Sequence, residues 1–182
     1  MPLGEEISRS FRGAALLARF DARGIGHLNI TLDGFWRSFV GALLVLPLTV
    51  LTMLAESGDA DIAWSTEAVR YAGGWILFPI VMIPIARLLG LSQRYVGFVI
   101  AYNWMQVVQS ILFFALGVLH RTEIPFLAPG GALDYAVLVY CIVYFVFVAR
   151  VTLGVGPLTG SGLAILDMLT SYLVLVALPQ LL

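Results

Sequence analysis

Asp167 is the residue at which chemistry must first be sought. The stretch from Leu163 to Tyr172 reads LAILDMLTSY and places this carboxylate in the middle of an apolar run. An ionised aspartate near the centre of a bilayer costs roughly 3 kcal/mol on insertion scales, and no arginine falls at the same depth. Asp167 is therefore expected to be largely protonated and to donate a hydrogen bond to an amide at its own level, Asn103 or Gln106.

A polar stripe in the run AYNWMQVVQS, residues 101–110, supplies those amides. At about 100° per residue, three side chains of the run fall within about 60° on one helical face: Asn103, Gln106 and Ser110. Amides in hydrocarbon need partners, so this face should point to the protein interior. We therefore predict an intramembrane polar network of Asp167, Asn103, Gln106 and Ser110. The network serves either as hydrogen bonding between helices or as a polar transport path, and the sequence leaves both interpretations open.

The elements that position these residues are predicted from composition and from the length of the apolar runs. The chain has 182 residues, of which 60% are hydrophobic and only 12% charged. A soluble domain carries about 25% charged residues, so a membrane protein is indicated. Five runs reach the roughly 20 apolar residues that a crossing helix needs. They cover residues 35–55, 68–89, 95–119, 132–153 and 158–178.

The arginines predict the direction of the spans, because basic residues are concentrated on the cytoplasmic side of membrane proteins. With the amino terminus inside, the cytoplasmic side holds Arg9, Arg12, Arg19, Arg23, Arg37, Arg87, Arg94 and Arg150. The opposite side holds only Arg70 and Arg121. The predicted fold is therefore an all-α membrane protein of the bacterial inner membrane, with a cytoplasmic amino terminus and an external carboxyl terminus. Residues 1–34 are predicted to form a cytoplasmic amphipathic helix and linker, and residues 35–182 a five-helix transmembrane domain.

The amino-terminal segment, residues 5–23, has the pattern of a helix lying in the membrane interface. Four basic side chains fall within an arc of about 80°: Arg9, Arg12, Arg19 and Arg23. The opposite face holds Ile7, Phe11, Ala14 and Ala18. This pattern predicts contact between the arginines and anionic lipid headgroups. The alternative is a helix that packs its apolar face on the spans or on a partner protein.

The ends of this segment and of the next are predicted from their turn residues. Gly24 and Gly26 are expected to end the amino-terminal helix, and the following HLNITLDG, residues 27–34, to form an extended linker. Asp33 is expected to cap the first span.

Several function classes fail for lack of residues. The single cysteine, Cys141, excludes a cysteine-based metal cluster. The two histidines, His27 and His120, are predicted on opposite sides of the membrane and so could not share a metal ion. No histidine falls within a span to activate Ser161, so an intramembrane serine protease is rejected. We predict no metal, no cofactor and no enzymatic activity.

Two functional classes remain. A third, an enzyme acting on a lipid or quinone, has no catalytic residues to support it. The first is a membrane organiser or an accessory subunit of a membrane complex. The second is a small-solute or proton-coupled transporter that uses Asp167 and the amides of the third span. Carriers usually hold more than one ionisable residue within the membrane, which favours the first class. Membrane lipids and a protein partner or second copy of the chain are the expected partners, and nucleic acid is not.

The run LDGFWRSF, Leu32 to Phe39, resembles the sequence that enters the first span of the Yip domain family. The predicted topology, with a cytoplasmic amino-terminal segment, five spans and an external carboxyl terminus, is also similar to that family. The resemblance implies a role in membrane organisation or scaffolding. The run lacks the tyrosine and the proline of the family pattern, so no functional residue is carried over.

Overall fold

The computed structural model describes residues 2–57, 61–122 and 127–176, with the side chains of residues 56 and 57 left out. The protein is 85% helical, and the described ranges contain no β-strand. The α-helices are α1 Leu3–Ala18, α2 Leu32–Ser38, α3 Val40–Ser57, α4 Trp64–Leu88, α5 Ser92–Leu119, α6 Ala132–Leu153 and α7 Pro157–Val176. A 3-10 helix, Ala22–His27, lies between α1 and α2.

Five helical segments among the described residues are long and apolar enough to cross a membrane. They are Leu32–Ala55, Trp64–Leu88, Ser92–Leu119, Ala132–Leu153 and Pro157–Val176. The prediction of an all-α fold with five helices long and apolar enough to span a membrane is confirmed. Helices α2 and α3 together form the first segment, and a turn at Phe39 separates them. Residues 177 and 178, the predicted end of the fifth span, lie outside the described residues.

Helix α5 is the centre of the bundle. It packs against α1, α2, α3, α4 and α6, whereas α7 packs against α4 and α6. Half of its most apolar stretch is buried (50%), against 17% to 33% in the other four spans. Every residue from 97 to 105 is buried. Any polar side chain on this part of α5 must therefore find its partner within the protein.

An aromatic cluster joins three helices around the middle of α5. Its members are Phe78 of α4, Phe98 and Tyr102 of α5, and Phe145 of α6. The ring centroid of Tyr102 lies 4.9 Å from that of Phe78 and 6.2 Å from that of Phe145. Edge-to-face and offset rings at these distances attract one another beyond their burial of apolar area. The cluster fixes the ring of Tyr102, and with it the position of the hydroxyl.

Helix α1 ends earlier than predicted. Phe20 adopts a left-handed backbone with φ of 59°, the Asp21 amide donates to Leu16 and the Phe20 amide to Leu17. These two bonds form the Schellman motif that commonly ends a helix. The expectation that Gly24 and Gly26 end the helix was wrong, because both belong to the 3-10 helix that follows. The ring of Phe20 packs edge-on against Tyr140 and Phe147, and these contacts offset the cost of its backbone conformation.

The entry to the first span also differs from the prediction. Thr31, not Asp33, caps α2: its hydroxyl accepts a hydrogen bond of 3.0 Å from the amide of Gly34. Asp33 lies inside the first turn and pairs with Arg37 at 2.9 Å. Residues 27–34 are therefore not one extended linker. They run from the 3-10 helix through a short extended piece directly into α2.

Candidate functional site

Asp167 is joined to α5 by a chain of two hydrogen bonds. The hydroxyl of Tyr102 donates to Oδ1 of Asp167 at 2.8 Å. Nε2 of Gln106 donates to the Tyr102 hydroxyl at 3.1 Å. Asp167 lies on the face of α7 that also holds the buried Leu163, Ala164 and Thr170. The carboxyl group, the phenol and the amide thus form one polar chain within the bundle.

Tyr102 is the functional residue that the sequence reasoning missed. We expected Asp167 to contact Asn103 or Gln106 directly, but the direct partner is a phenol, and Gln106 is reached only through it. The signal was present in the spacing, because Tyr102 and Gln106 are four residues apart and lie on one face of a helix. A tyrosine ring packs well in apolar surroundings, but its buried hydroxyl usually still finds a partner.

Asn103 belongs to a different contact. Its Nδ2 donates to the hydroxyl of Ser38 at 2.8 Å, and this hydroxyl donates to the carbonyl of Phe35 at 2.7 Å. The side chain of Asn103 is fully buried, and Oδ1 has no hydrogen-bond partner among the described residues. The predicted four-residue network is therefore divided: Asp167 and Gln106 are joined through Tyr102, while Asn103 links α5 to α2.

Helix α1 is docked on the bundle. Gly13, Ala14 and Leu17 are buried, and α1 packs against α5 and α6. Two phenols of α6 fix this contact, because Tyr144 donates to the carbonyl of Ala14 at 3.0 Å and Tyr140 to that of Ala18 at 2.6 Å. The alternative prediction, a helix that packs on the spans, therefore holds for one face of α1.

The buried face of α1 matches the predicted apolar face only in part: Ala14 is buried and Ile7 and Ala18 pack against the core. It holds Ser10 and Leu17 beside Ala14, whereas Phe11, expected on the apolar face, is 44% exposed. Small residues determine which face packs. A Cβ on Gly13 would lie 2.7 Å from the carbonyl oxygen of Gly24, so the two segments approach too closely for a larger residue on either side.

A buried carboxylate adds an ionic link at the start of α1. Glu6 is 4% exposed. Its Oε2 accepts from Arg37 at 2.9 Å and its Oε1 from the amide of Asn29 at 2.8 Å. Glu6 thus joins α1 to α2 and to the chain between them. Glu6 lies within the predicted interfacial segment, residues 5–23, and nothing in its spacing indicates a partner 31 residues away.

The four arginines predicted to contact lipid headgroups remain exposed: Arg9, Arg12, Arg19 and Arg23. Arg23 pairs with Asp21 at 2.6 Å, and this hydrogen-bonded guanidinium lowers the pKa of Asp21 to about 2. Helix α1 therefore has one face fixed to the bundle and another that carries positive charge into the surroundings.

Two cavities open beside the far end of α5, and Ser110 lines both. One has a volume of about 350 Å³ and lies between α3 and α5, from Leu48 to His120. The other, about 330 Å³, lies among α3, α4, α5 and α7, and Gln106 also lines it. Ser110 is thus placed one turn from the Asp167 chain, in a cavity wall. In contrast, the crevice lined by Glu6, Arg37 and Trp104 near α1 has no room for a water molecule.

We call the two ends of the bundle the closed half and the open half. The closed half comprises α1, α2, residues 97–105 of α5 and residues 140–153 of α6. The open half comprises residues 48–53 of α3, 67–75 of α4, 106–120 at the end of α5 and 171–175 of α7.

The two histidines have separate partners. Nδ1 of His27 lies 3.4 Å from the carbonyl of Arg23, and Nε2 of His120 lies 2.8 Å from Oδ1 of Asp134. In the part of the chain that the structure describes, no three histidine, cysteine or acidic side chains are grouped to hold a metal ion. Cys141 is buried and free of any disulfide.

Comparison with protein-family models, curated proteins and solved structures finds no match to this chain. The fold itself defines the class: an all-helical chain with five helices long and apolar enough to cross a membrane.

Proposed function

We propose that this protein is a non-enzymatic membrane protein of the bacterial inner membrane that organises the membrane or serves as an accessory subunit of a membrane complex. The observation that carries the proposal is the docked helix α1. Its buried face is held to α6 by Tyr140 and Tyr144. Four arginines remain exposed: Arg9 and Arg12 on α1, Arg19 directly after it, and Arg23 in the 3-10 helix that follows. A helix fixed in this way presents charge at a constant height to headgroups or to a partner.

The exposed arginines give the proposed role a physical basis. A basic residue near an anionic membrane surface contributes about 1 kcal/mol to binding. In the proposed orientation, the amino terminus is cytoplasmic and the carboxyl terminus external, so the arginines of α1 face the inner leaflet. The topological resemblance to the Yip domain family agrees with an organising role.

Lipid retention tests this role. The full-length protein is purified in a mild detergent with a mixture of anionic and zwitterionic phospholipids, and the lipids that remain bound are measured by native mass spectrometry. Changing Arg12 and Arg19 together to Gln should reduce the retained anionic lipid, whereas changing both to Lys should preserve it. Unchanged retention in the Gln variant would refute headgroup contact. Loss in both variants would instead indicate a partner that requires the guanidinium group.

Reporter fusions test the proposed orientation separately. Alkaline phosphatase joined to the carboxyl terminus should be active, because this enzyme matures only outside the cytoplasm. A fluorescent protein that matures in the cytoplasm should be dark at the same position. The opposite pair of results would contradict an external carboxyl terminus.

A small-solute or proton-coupled transporter is the second candidate, and one specific observation favours it. The cavity of about 330 Å³ reaches Gln106, whose amide is joined through Tyr102 to Asp167. Asp167→Asn keeps an oxygen that can accept from Tyr102 but removes the titratable group. If the protein couples transport to protons, this variant should fold normally but fail to replace the parent protein in cells that lack it. An Asp167→Asn variant that replaces the parent protein in such cells would argue against proton coupling.

A further inference from the structure

The cavity between α3, α4, α5 and α7 has the composition of a binding site. Its volume is about 330 Å³, within the range of small-molecule sites. Apolar walls come from Met53, Trp75 and Val174. The polar groups in the wall are Glu67, Arg70, Tyr71, Gln106, Ser110 and Ser171. A few polar groups among apolar walls are what orient a ligand in such sites.

Arg70 is the basic group of this cavity, and the one hydrogen bond to Glu67 satisfies only part of its guanidinium. Its Nη1 donates to Oε1 of Glu67 at 2.6 Å, but its Nε is buried and has no hydrogen-bond partner among the described residues. A guanidinium has five N–H donors and no acceptor, so one carboxylate contact leaves most of them available. The Arg70 side chain is 32% exposed and lines the cavity, so an acidic ligand oxygen there can accept from guanidinium donors that Glu67 does not occupy, although it does not reach the buried Nε.

The position of Arg70 along α4 indicates which acidic group is at hand. Helix α4 has 25 residues, or about 37 Å at 1.5 Å per residue, which exceeds a hydrocarbon core of roughly 30 Å. Arg70 lies in the second turn, about 9 Å from the start of the helix, so its long side chain can reach the headgroup level. Phospholipid phosphates lie at that level, and arginine binds phosphate oxygens in a paired geometry.

We propose that this cavity binds a phosphate ester, with Arg70 contacting the phosphate and the hydroxyl-bearing part of the ligand lying toward Gln106, Ser110 and Ser171. Glu67 acts as an internal competitor, because it occupies one side of the guanidinium. The ester is either the headgroup of a membrane lipid or a free solute such as a glycerol phosphate. The inference does not rest on the organising role of α1, which lies in the other half of the bundle.

Titration calorimetry on the full-length protein in a neutral maltoside detergent tests the site. The probes are dihexanoyl phosphatidylglycerol, glycerol 3-phosphate, inorganic phosphate and the uncharged dihexanoylglycerol. Binding of the short-chain lipid alone identifies a lipid site, and binding of glycerol 3-phosphate with equal affinity identifies a solute site. Dihexanoylglycerol binding as well as the phospholipid, or no binding of any phosphate ester, would overturn the proposal.

Four variants locate the binding. Arg70→Gln should weaken it about tenfold or more, the loss expected for a charge-assisted contact. Arg121→Gln is the matched control, because this arginine is predicted on the same side and donates to the carbonyl of Ala55 instead. Glu67→Gln should leave the affinity unchanged or raise it, since the competing charge is removed. Ser171→Leu narrows the cavity without touching the ion pair and should abolish binding.

The pattern across these variants separates a site from a structural ion pair. If Glu67→Gln weakens binding as strongly as Arg70→Gln, the pair only supports the helix and the proposal fails. The proposal also fails if Arg121→Gln matches Arg70→Gln, or if Ser171→Leu binds like the parent. Melting temperatures in the same detergent identify any variant that does not fold, and Glu67→Gln and Ser171→Leu then decide the outcome without Arg70→Gln.

Discussion

The closed and open halves of the bundle share helix α5 but use it differently. In the closed half every α5 residue from 97 to 105 is buried. Side-chain hydrogen bonds there join α5 to α2 and α6 to α1. In the open half the same helix borders cavities of about 350 and 330 Å³. One half is built to stay fixed, and the other has space for a ligand.

The difference has a physical origin in where the polar side chains find partners. In the closed half Asn103 donates to Ser38, and Glu6 accepts from Arg37 and Asn29. Direct hydrogen bonds between side chains of different helices make a structure specific and rigid. In the open half Arg70 and Gln106 line a cavity instead. The Tyr102 hydroxyl sits at the boundary and connects the two halves.

The largest effect is expected from a substitution that opens the closed half. In Gly24→Val, the new Cβ would press on the carbonyl oxygen of Gly13 and lie 2.8 Å from Cγ of Leu17. Overpacking of this kind costs about 1–3 kcal/mol, and backbone contact places this site at the upper end. Melting in detergent should occur at a clearly lower temperature. Gly26→Val is the control, since a Cβ there meets nothing within 4 Å. Equal melting of the two variants would contradict close packing.

The next effect is expected at the boundary between the halves. Asp167→Leu removes the acceptor of the Tyr102 hydroxyl, and a buried donor left without a partner costs about 1–3 kcal/mol. Asp167→Asn retains an acceptor and should melt close to the parent. Adding Tyr102→Phe to Asp167→Leu should cost less than the two single changes together, because they share one bond. An Asp167→Leu variant as stable as the parent would show that this bond contributes nothing.

A smaller effect is expected from the ionic link of the closed half. Glu6→Gln keeps an oxygen for Asn29 but removes the charge that faces Arg37. Arg37 is 36% exposed and still pairs with Asp33, so we expect a loss of only about 1 kcal/mol. Glu5→Gln changes the neighbouring, exposed carboxylate and should have no effect on melting. If both variants melt alike, Glu6 does not stabilise the docked helix.

The smallest effect is expected at the exposed turn between α1 and the 3-10 helix. Arg23 lowers the pKa of Asp21 to about 2, so the favourable contact is complete above the ordinary aspartate pKa of about 4. It is lost as the pH falls through about 2. In Arg23→Gln the carboxyl should titrate nearer to 4, as measured by NMR of the side-chain carbon, with no change in melting at neutral pH. An unchanged midpoint would show that Arg23 is not the cause.

How much could be predicted from the sequence depends on the range of the interaction involved. The five spans follow from the length of apolar runs, a local property that the bilayer imposes. The pairing of Glu6 with Arg37 and of Tyr144 with Ala14 depends on how helices far apart in sequence meet. The helix end at Phe20 was missed because a phenylalanine with positive φ is stable only when its ring finds neighbours, here Tyr140 and Phe147.

The candidate site shows the same division. Asp167 and Gln106 were identified because a polar group in an apolar run is conspicuous, and the structure joins them. Asn103 was assigned to the same group from its position on the helix. Helix α5 packs against five other helices, so an angular difference of about 60° is enough to direct two side chains to different partners.

Thiol labelling tests the docking of α1, on which the difference between the halves depends. Cys141, the only cysteine, is first replaced by alanine. Cysteine is then introduced at Leu17, which is fully buried, or at Arg12, which is exposed on the same helix. With a water-soluble maleimide on the full-length protein in detergent, Arg12→Cys should react quickly and Leu17→Cys very slowly. Adding Gly13→Val, whose Cβ would press on the carbonyl oxygen of Gly24 and not on residue 17, should loosen α1 and speed the labelling of Leu17→Cys. Equal labelling rates at the two positions before that addition would contradict a closed half in which α1 is held against α5 and α6.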